Sequence, residues 1–212
     1  TTLWACVPML AAMAGLLLVA AAPASGDADR AKELATTVCA GCHGPDGNSP
    51  APTFPKLAGV QREYLAKQLN DYFVGARKHY TMVRKREAEM MAPIVSTLQR
   101  DEVGPLAAWY ASQKPSPGTV EDAKLAEAGR KIYLDGNPDS GVAACAGCHG
   151  EDGAGHPRYP RLAGQYQAYT IEQMNQFRSG ARSNDRGRVM RLLAGRMTDE
   201  EIKAVAEYIA GL

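Results

Sequence analysis

The sequence predicts an all-α protein built from two tandem copies of one small domain, preceded by an N-terminal hydrophobic helix. Three observations carry this. The hexapeptide CAGCHG occurs twice, at 39–44 and 145–150. The residues after each copy repeat as well, far beyond the hexapeptide. Apolar residues recur at helical spacing, and no segment shows sustained strand alternation.

The first element is the apolar N-terminus. Residues 3–22, LWACVPMLAAMAGLLLVAAA, carry no charge and suffice for a membrane-crossing helix of about 20 residues. Ala22-Pro23-Ala24 resembles a signal-peptidase site, so residues 1–24 read as a membrane anchor or, alternatively, a signal removed on export. Both readings export the domains behind it, and a few residues are expected before Thr1. Cys6 lies in this run and reads as an inert thiol. Beyond the apolar run, acids and bases are mixed throughout, and the net charge of the chain is +1. That excludes a general nucleic-acid binder, which needs a concentrated basic footprint.

The other four cysteines form two x-x spaced pairs, Cys39/Cys42 and Cys145/Cys148, each followed directly by a histidine, His43 or His149. A disulfide framework does not require that histidine. A four-cysteine zinc site could be built from the two pairs, but would not explain two histidines at identical offsets. Covalent attachment of a c-type haem explains all three residues. Two thiols on one helical turn reach the two vinyl groups of one haem, and the adjacent histidine then meets the iron from the same side.

The repeat continues through CHGPDGNSPAPTFPKLAG (42–59) against CHGEDGAGHPRYPRLAG (148–164), and YLAKQLNDYFVGAR (64–77) against YTIEQMNQFRSGAR (169–182). It closes with MAPIVSTLQRDEVGPLAAWYA (91–111) against MRLLAGRMTDEEIKAVAEYIA (190–210). One chemical motif per unit means a duplicated domain, not a solenoid. The domains are placed at 28–112 and 123–212, joined by a linker at 113–122 that contains Pro-Ser-Pro-Gly.

In each unit a helix is expected to deliver the motif, over 31–38 and 123–134. A second has an apolar stripe through Tyr64, Leu65, Leu69, Tyr72 and Phe73, or Tyr169, Met174 and Phe177. The last helix has an apolar face of Val103, Leu106, Ala107 and Tyr110, or Ile202, Val205, Ala206 and Ile209. Thr198 with Glu201 fits a capping box at its start in the second copy. Units of roughly 90 residues are small for an apolar core alone, and a buried haem would supply much of it.

Haem iron used for electron transfer commonly takes methionine as its other axial ligand, which raises the potential and closes the iron to substrates. Aligning the final helices selects the candidates. Met91 and Met190 occupy the same place, whereas Met197 aligns with Leu98, which cannot ligate, and Met174 pairs with Leu69 on the core stripe. Met90 remains the alternative in the first copy.

The order Cys-x-x-Cys-His, then Pro-x-Leu-x-Gly (55–59 and 160–164), then Met before a last helix, resembles class I cytochromes c. In that family a proline carbonyl takes the histidine N–H, which the resemblance implies for Pro55 and Pro160. Two such domains in tandem, sharing PxLAG and GAR stretches, look like the cytochrome c4 family over nearly the whole chain after about residue 30. The resemblance implies two covalent haem c groups, His43 with Met91 and His149 with Met190 as iron ligands, and haem propionates near each other between the domains. It further implies an electron carrier on the periplasmic side of a bacterial inner membrane, passing electrons from a quinol-oxidising cytochrome bc complex to a terminal oxidase. The insertion HYTMVRKREA (79–88) departs from the repeat and makes the two haem surroundings unequal.

Other residues carry plainer readings. His79 and His156 lack any Cys-x-x-Cys context and read as surface residues. Arg84, Lys85 and Arg86 form a docking patch for an acidic partner or simply a solvated face. Arg77 and Arg182, matched in the repeat, are candidates to pair with propionates. No general base, nucleophile or open metal position is visible, so neither catalysis on a small-molecule substrate nor nucleic-acid binding is expected. Two rivals stand beside the carrier: a permanent electron-transfer subunit of an oxidase or dehydrogenase, and a dihaem peroxidase or thiosulfate-oxidising enzyme.

Overall fold

The computed structural model describes residues 25–75, 86 and 88–212, together with Thr1. The hydrophobic segment 3–22, Cys6, Arg77, His79, Arg84 and Lys85 lie outside the described residues. No helix among the described residues is long and apolar enough to cross a membrane. They form helices joined by turns, and pair as strands do only at isolated bridges.

The first domain opens with α1 (Ser25–Leu34), which runs without a break through a π-helical turn (Ala35–Cys39) into α2 (Ala40–His43). Thr36 and Thr37 turn their hydroxyls back onto the carbonyls of Lys32 and Glu33 at this point. Such back-bonding competes with the regular ladder and accompanies the wider turn. After the motif come α3 (Arg62–Gly75), α4 (Met91–Ser96) and α5 (Val103–Ala111). The second domain repeats the order with α6 (Ala123–Asp135), α7 (Ala146–His149), α8 (Gln167–Ser179), α9 (Val189–Ala194) and α10 (Asp199–Gly211).

The helix expected over 123–134 is found at Ala123–Asp135: in the second copy α6 stops at Gly136, and a loop pinned by the Asn137–Val142 bridge separates it from α7. A glycine at φ 79° turns the chain out of the helix there. The two motifs are therefore mounted differently before the insertion at 79–88 is even reached.

The predicted faces of the last helices are buried at all eight positions, Val103, Leu106, Ala107 and Tyr110 in α5 and Ile202, Val205, Ala206 and Ile209 in α10. Thr198 and Glu201 form the expected reciprocal cap. Leu98 and Met197 sit in the two cores as counterparts, and Leu69 and Met174 pack against the same cores. The backbones of α6 and α10 cross so closely that a Cβ at Gly129 would collide with Ala204 O and lie 2.9 Å from Val205 N. Backbone atoms cannot rotate out of the way, so Gly129→Ala must push the helices apart. We expect a loss of about 3 kcal/mol in the second domain, read as a lowered midpoint in denaturant unfolding. An unchanged midpoint would show the crossing to be loose.

Between the domains runs a polar seam. Lys56 Nζ donates to Pro117 O of the linker (2.7 Å), and Gln167 Nε2 to Thr119 O (2.8 Å), so the linker is held from both sides. Arg86, read from the sequence as part of a solvated basic run, is buried in this seam. It bridges to Arg182 backbone to backbone. The reason for its burial is physical: the guanidinium finds Gln68 Oε1 (2.8 Å), Tyr169 Oη (3.3 Å) and the face of Tyr72, which outweigh hydration.

Candidate haem sites

Each site is assembled on a short helical turn. Cys39 and Cys42 are free thiols on one turn, as are Cys145 and Cys148, and all four are partly buried. Burial pushes Cys39 up, and pushes Cys145 up to about 11. The chain must reverse immediately after each histidine, and Gly44 (φ 76°) and Gly150 (φ 81°) do this where a side chain would be strained. Their N–H groups cap the turn on Ala40 O and Ala146 O, each at 2.9 Å.

His43 and His149 are both buried. Each Nδ1 lies 2.9 Å from a proline carbonyl, Pro55 O for His43 and Pro160 O for His149. A carbonyl has no proton to give, so Nδ1 is the donor and Nε2 keeps its lone pair. Burial draws both histidines below their ordinary range, and the proline carbonyls offset this only in part. The rings are therefore neutral, oriented and ready to ligate. Phe54 and Tyr159, at matching places in the repeat, meet these rings edge-on at centroid distances of 6.4 and 5.8 Å.

Met91 is the first residue of α4 and Met190 the second of α9; both are half-buried. Met90 is 62% exposed, as its counterpart Val189 is exposed. His156 is exposed and stacks edge-on with Tyr159. No group of three or more His, Cys, Asp or Glu side chains converges among the described residues, so the four thiols do not form one shared zinc site.

Residues that the sequence left in the background build the seam. Tyr64 and Tyr169, counted in apolar stripes, turn their hydroxyls to the guanidinium of the opposite domain, Arg182 at 2.7 Å and Arg86 at 3.3 Å. Both tyrosines are half-buried, and the polar hydroxyl at the end of an otherwise apolar ring was the readable signal. Arg182 also donates to Gln173, Asn184 and Gln68. None of the described side chains bonded to these two guanidiniums is a carboxylate, and Arg86 Nε has no partner among them. Burial raises the Tyr64 phenol, but the charges of Arg182 and Arg86 outweigh it and draw the phenol down. Among the described residues the seam's nearest carboxylate is one step removed: Asp71 accepts from Asn184 and pairs with Lys67, and does not bond either guanidinium directly.

Paired thiols, a neutral histidine with free Nε2 and two buried guanidiniums held by neutral side chains among the described residues fit a covalently held haem whose carboxylates need cationic partners. The comparisons agree with this chemistry. The cytochrome c family matches twice, over residues 28–114 and 126–212. Cytochrome c4 of Thiocapsa roseopersicina is 43% identical over 91% of this chain and 96% of its own. The crystal structure of reduced recombinant cytochrome c4 from Pseudomonas stutzeri superposes with a TM-score of 0.81 at 39% identity, covering 87% of this chain and 98% of that one. A thiosulfate dehydrogenase electron acceptor of Thiomonas intermedia is 35% identical over 81% of this chain and 77% of its own. Matched over nearly its full length by relatives of this kind, the chain belongs to the cytochrome c4 family of dihaem electron carriers, with two covalent haem c groups.

Proposed function

We propose that Cys39, Cys42 and His43 hold one haem and Cys145, Cys148 and His149 the other, with Met91 and Met190 completing the axial pairs. When bound, each haem supplies a one-electron ferric–ferrous couple. The protein's part is to fix orientation, exclude solvent and choose the potential. Pro55 and Pro160 orient the histidines through their carbonyls. The thioethers would favour the ferrous state and close the iron to substrates. Arg86 and Arg182 would take the propionates, which would offset their buried charge.

The observation that carries this reading is that a thiol pair, a buried histidine and a proline acceptor recur complete in both domains, across one hydrogen-bonded seam. Within it the chain accepts electrons from a quinol-oxidising bc complex and passes them to a terminal oxidase. It works on the periplasmic side of the inner membrane, with residues 3–22 as anchor and a cleaved, soluble form as the alternative. The likeness to a thiosulfate dehydrogenase electron acceptor favours a second reading, in which the chain is the lasting partner of a dehydrogenase.

Mild detergent extraction of native membranes separates the two. Two haems per chain by intact mass, and rapid oxidation of the pre-reduced, partner-free protein by oxidase-containing membranes, are expected for the carrier. Stoichiometric co-purification with a dehydrogenase subunit, without oxidation by those membranes, would establish the second reading instead.

A further inference from the structure

Each histidine's carbonyl acceptor belongs to a peptide group whose N–H is held by the other domain. Pro55 C=O and Lys56 N–H are two ends of one peptide unit. The carbonyl accepts from His43 Nδ1 (2.9 Å), and the N–H donates to Gln165 Oε1 of the second domain (3.0 Å). Gln165 Nε2 closes the pair by donating to Lys56 O (3.0 Å). The arrangement is reciprocal. Pro160 C=O accepts from His149 Nδ1 (2.9 Å), while Arg161 N–H donates to Gln61 Oε1 of the first domain (2.7 Å). Gln61 Nε2 is in turn anchored on Ala154 O.

We propose that Gln61 and Gln165 are crossed positioning residues: each sets, through one peptide group, the basicity of the carbonyl that polarises the other domain's axial histidine. The physics is that of a hydrogen-bond chain. An amide that donates from its N–H accepts more strongly at its C=O, because polarisation passes through the conjugated unit. A more basic Pro55 carbonyl draws the His43 Nδ1 proton outward, which makes Nε2 a stronger donor to iron and favours the ferric state. The glutamine amides are half-buried and their partners are main-chain atoms, so their orientation is set by the docking of the domains. Docking is thereby coupled to both potentials. The residues are one position out of register in the repeat, Gln61 six after Pro55 and Gln165 five after Pro160. The duplication alone therefore does not reveal the pairing.

This inference rests on His43 and His149 being the iron ligands, and its test reads that separately. The holoprotein variants Gln165→Leu and Gln61→Leu are compared by spectroelectrochemistry, with each potential assigned by NMR through the hyperfine-shifted ring signals of His43 and His149. Gln165→Leu is expected to raise the potential of the His43 haem by about threefold in its reduction equilibrium, ~28 mV for one electron, and to leave the His149 haem in place. Gln61→Leu is expected to do the converse. Tyr166→Phe removes another bond across the seam, Tyr166 Oη to Ser49 O (2.6 Å), without touching either peptide, and is expected to move neither potential. Shifts confined to the mutated domain, equal shifts of both haems in every variant, or no shift with intact spectra would each overturn the crossed relay. Absence of hyperfine-shifted His43 and His149 signals in the unmodified protein would overturn the ligand assignment itself. Gln61→Leu reads the same relay at the other iron should Gln165→Leu fail to assemble.

Discussion

Met190→His is expected to lower the potential of the second haem by on the order of 0.2 V, within the span of roughly 0.8 V that axial ligands command. The same variant should halve the near-infrared methionine-to-iron band. Imidazole is the harder ligand and favours the ferric ion, whereas the thioether favours the ferrous one. Met91→His should remove the other half of the band. Met90→Leu should leave it whole, because Met90 is 62% exposed whereas Met91 is half-buried at the head of α4. Met197→Leu offers a control: its side chain lies in the second core, so that variant should change stability before it changes the band. A full-strength band in Met190→His would refute the ligand assignment.

The thiol pairs, the histidines and their proline acceptors could be read from the sequence because their signals are local or repeated. Cysteines and histidine lie on one turn, and the proline acceptor comes within twelve residues. The amphipathic faces of α5 and α10 were legible for the same reason, since helical periodicity needs only a few turns of chain. What stayed hidden depends on chain segments far apart. Gln165 and Lys56 are 109 residues apart, Arg182 and Tyr64 118, and no local pattern announces such a partnership. Arg86 misled because a basic run usually faces water. Only the packing of Tyr72, Gln68 and Tyr169 around it makes burial the better state. The gap between α6 and the second motif was legible, since the helix expected over 123–134 stops well short of Cys145. Two equal hexapeptides do not fix how the preceding helix ends; Gly136 and the Asn137–Val142 bridge do.

Removing the haem attachments should expose that difference. The double variant Cys145→Ser/Cys148→Ser is expected to hold one haem by intact mass and to lose roughly half of the helical circular dichroism, because a unit of about 90 residues without its buried cofactor is marginal. Its remaining buried core is Tyr133, Val142, Met197, Ile202, Val205 and Ile209. The motif itself sits on α7, four residues between a loop and the Gly150 turn, too short to persist unaided. Cys39→Ser/Cys42→Ser should also leave one haem but retain more helix. There the motif continues the helix begun at Ser25, and Ala31, Leu34 and Ala35 are buried in the domain before the thiols are reached. Both variants lose partners across the seam, since Arg182 serves Tyr64 and Arg86 serves Tyr169. The seam penalty therefore falls on both, and the unequal loss of helix reports how each motif is mounted. Equal losses in the two variants would show that the cofactor, and not the continuous helix, holds the first motif in place.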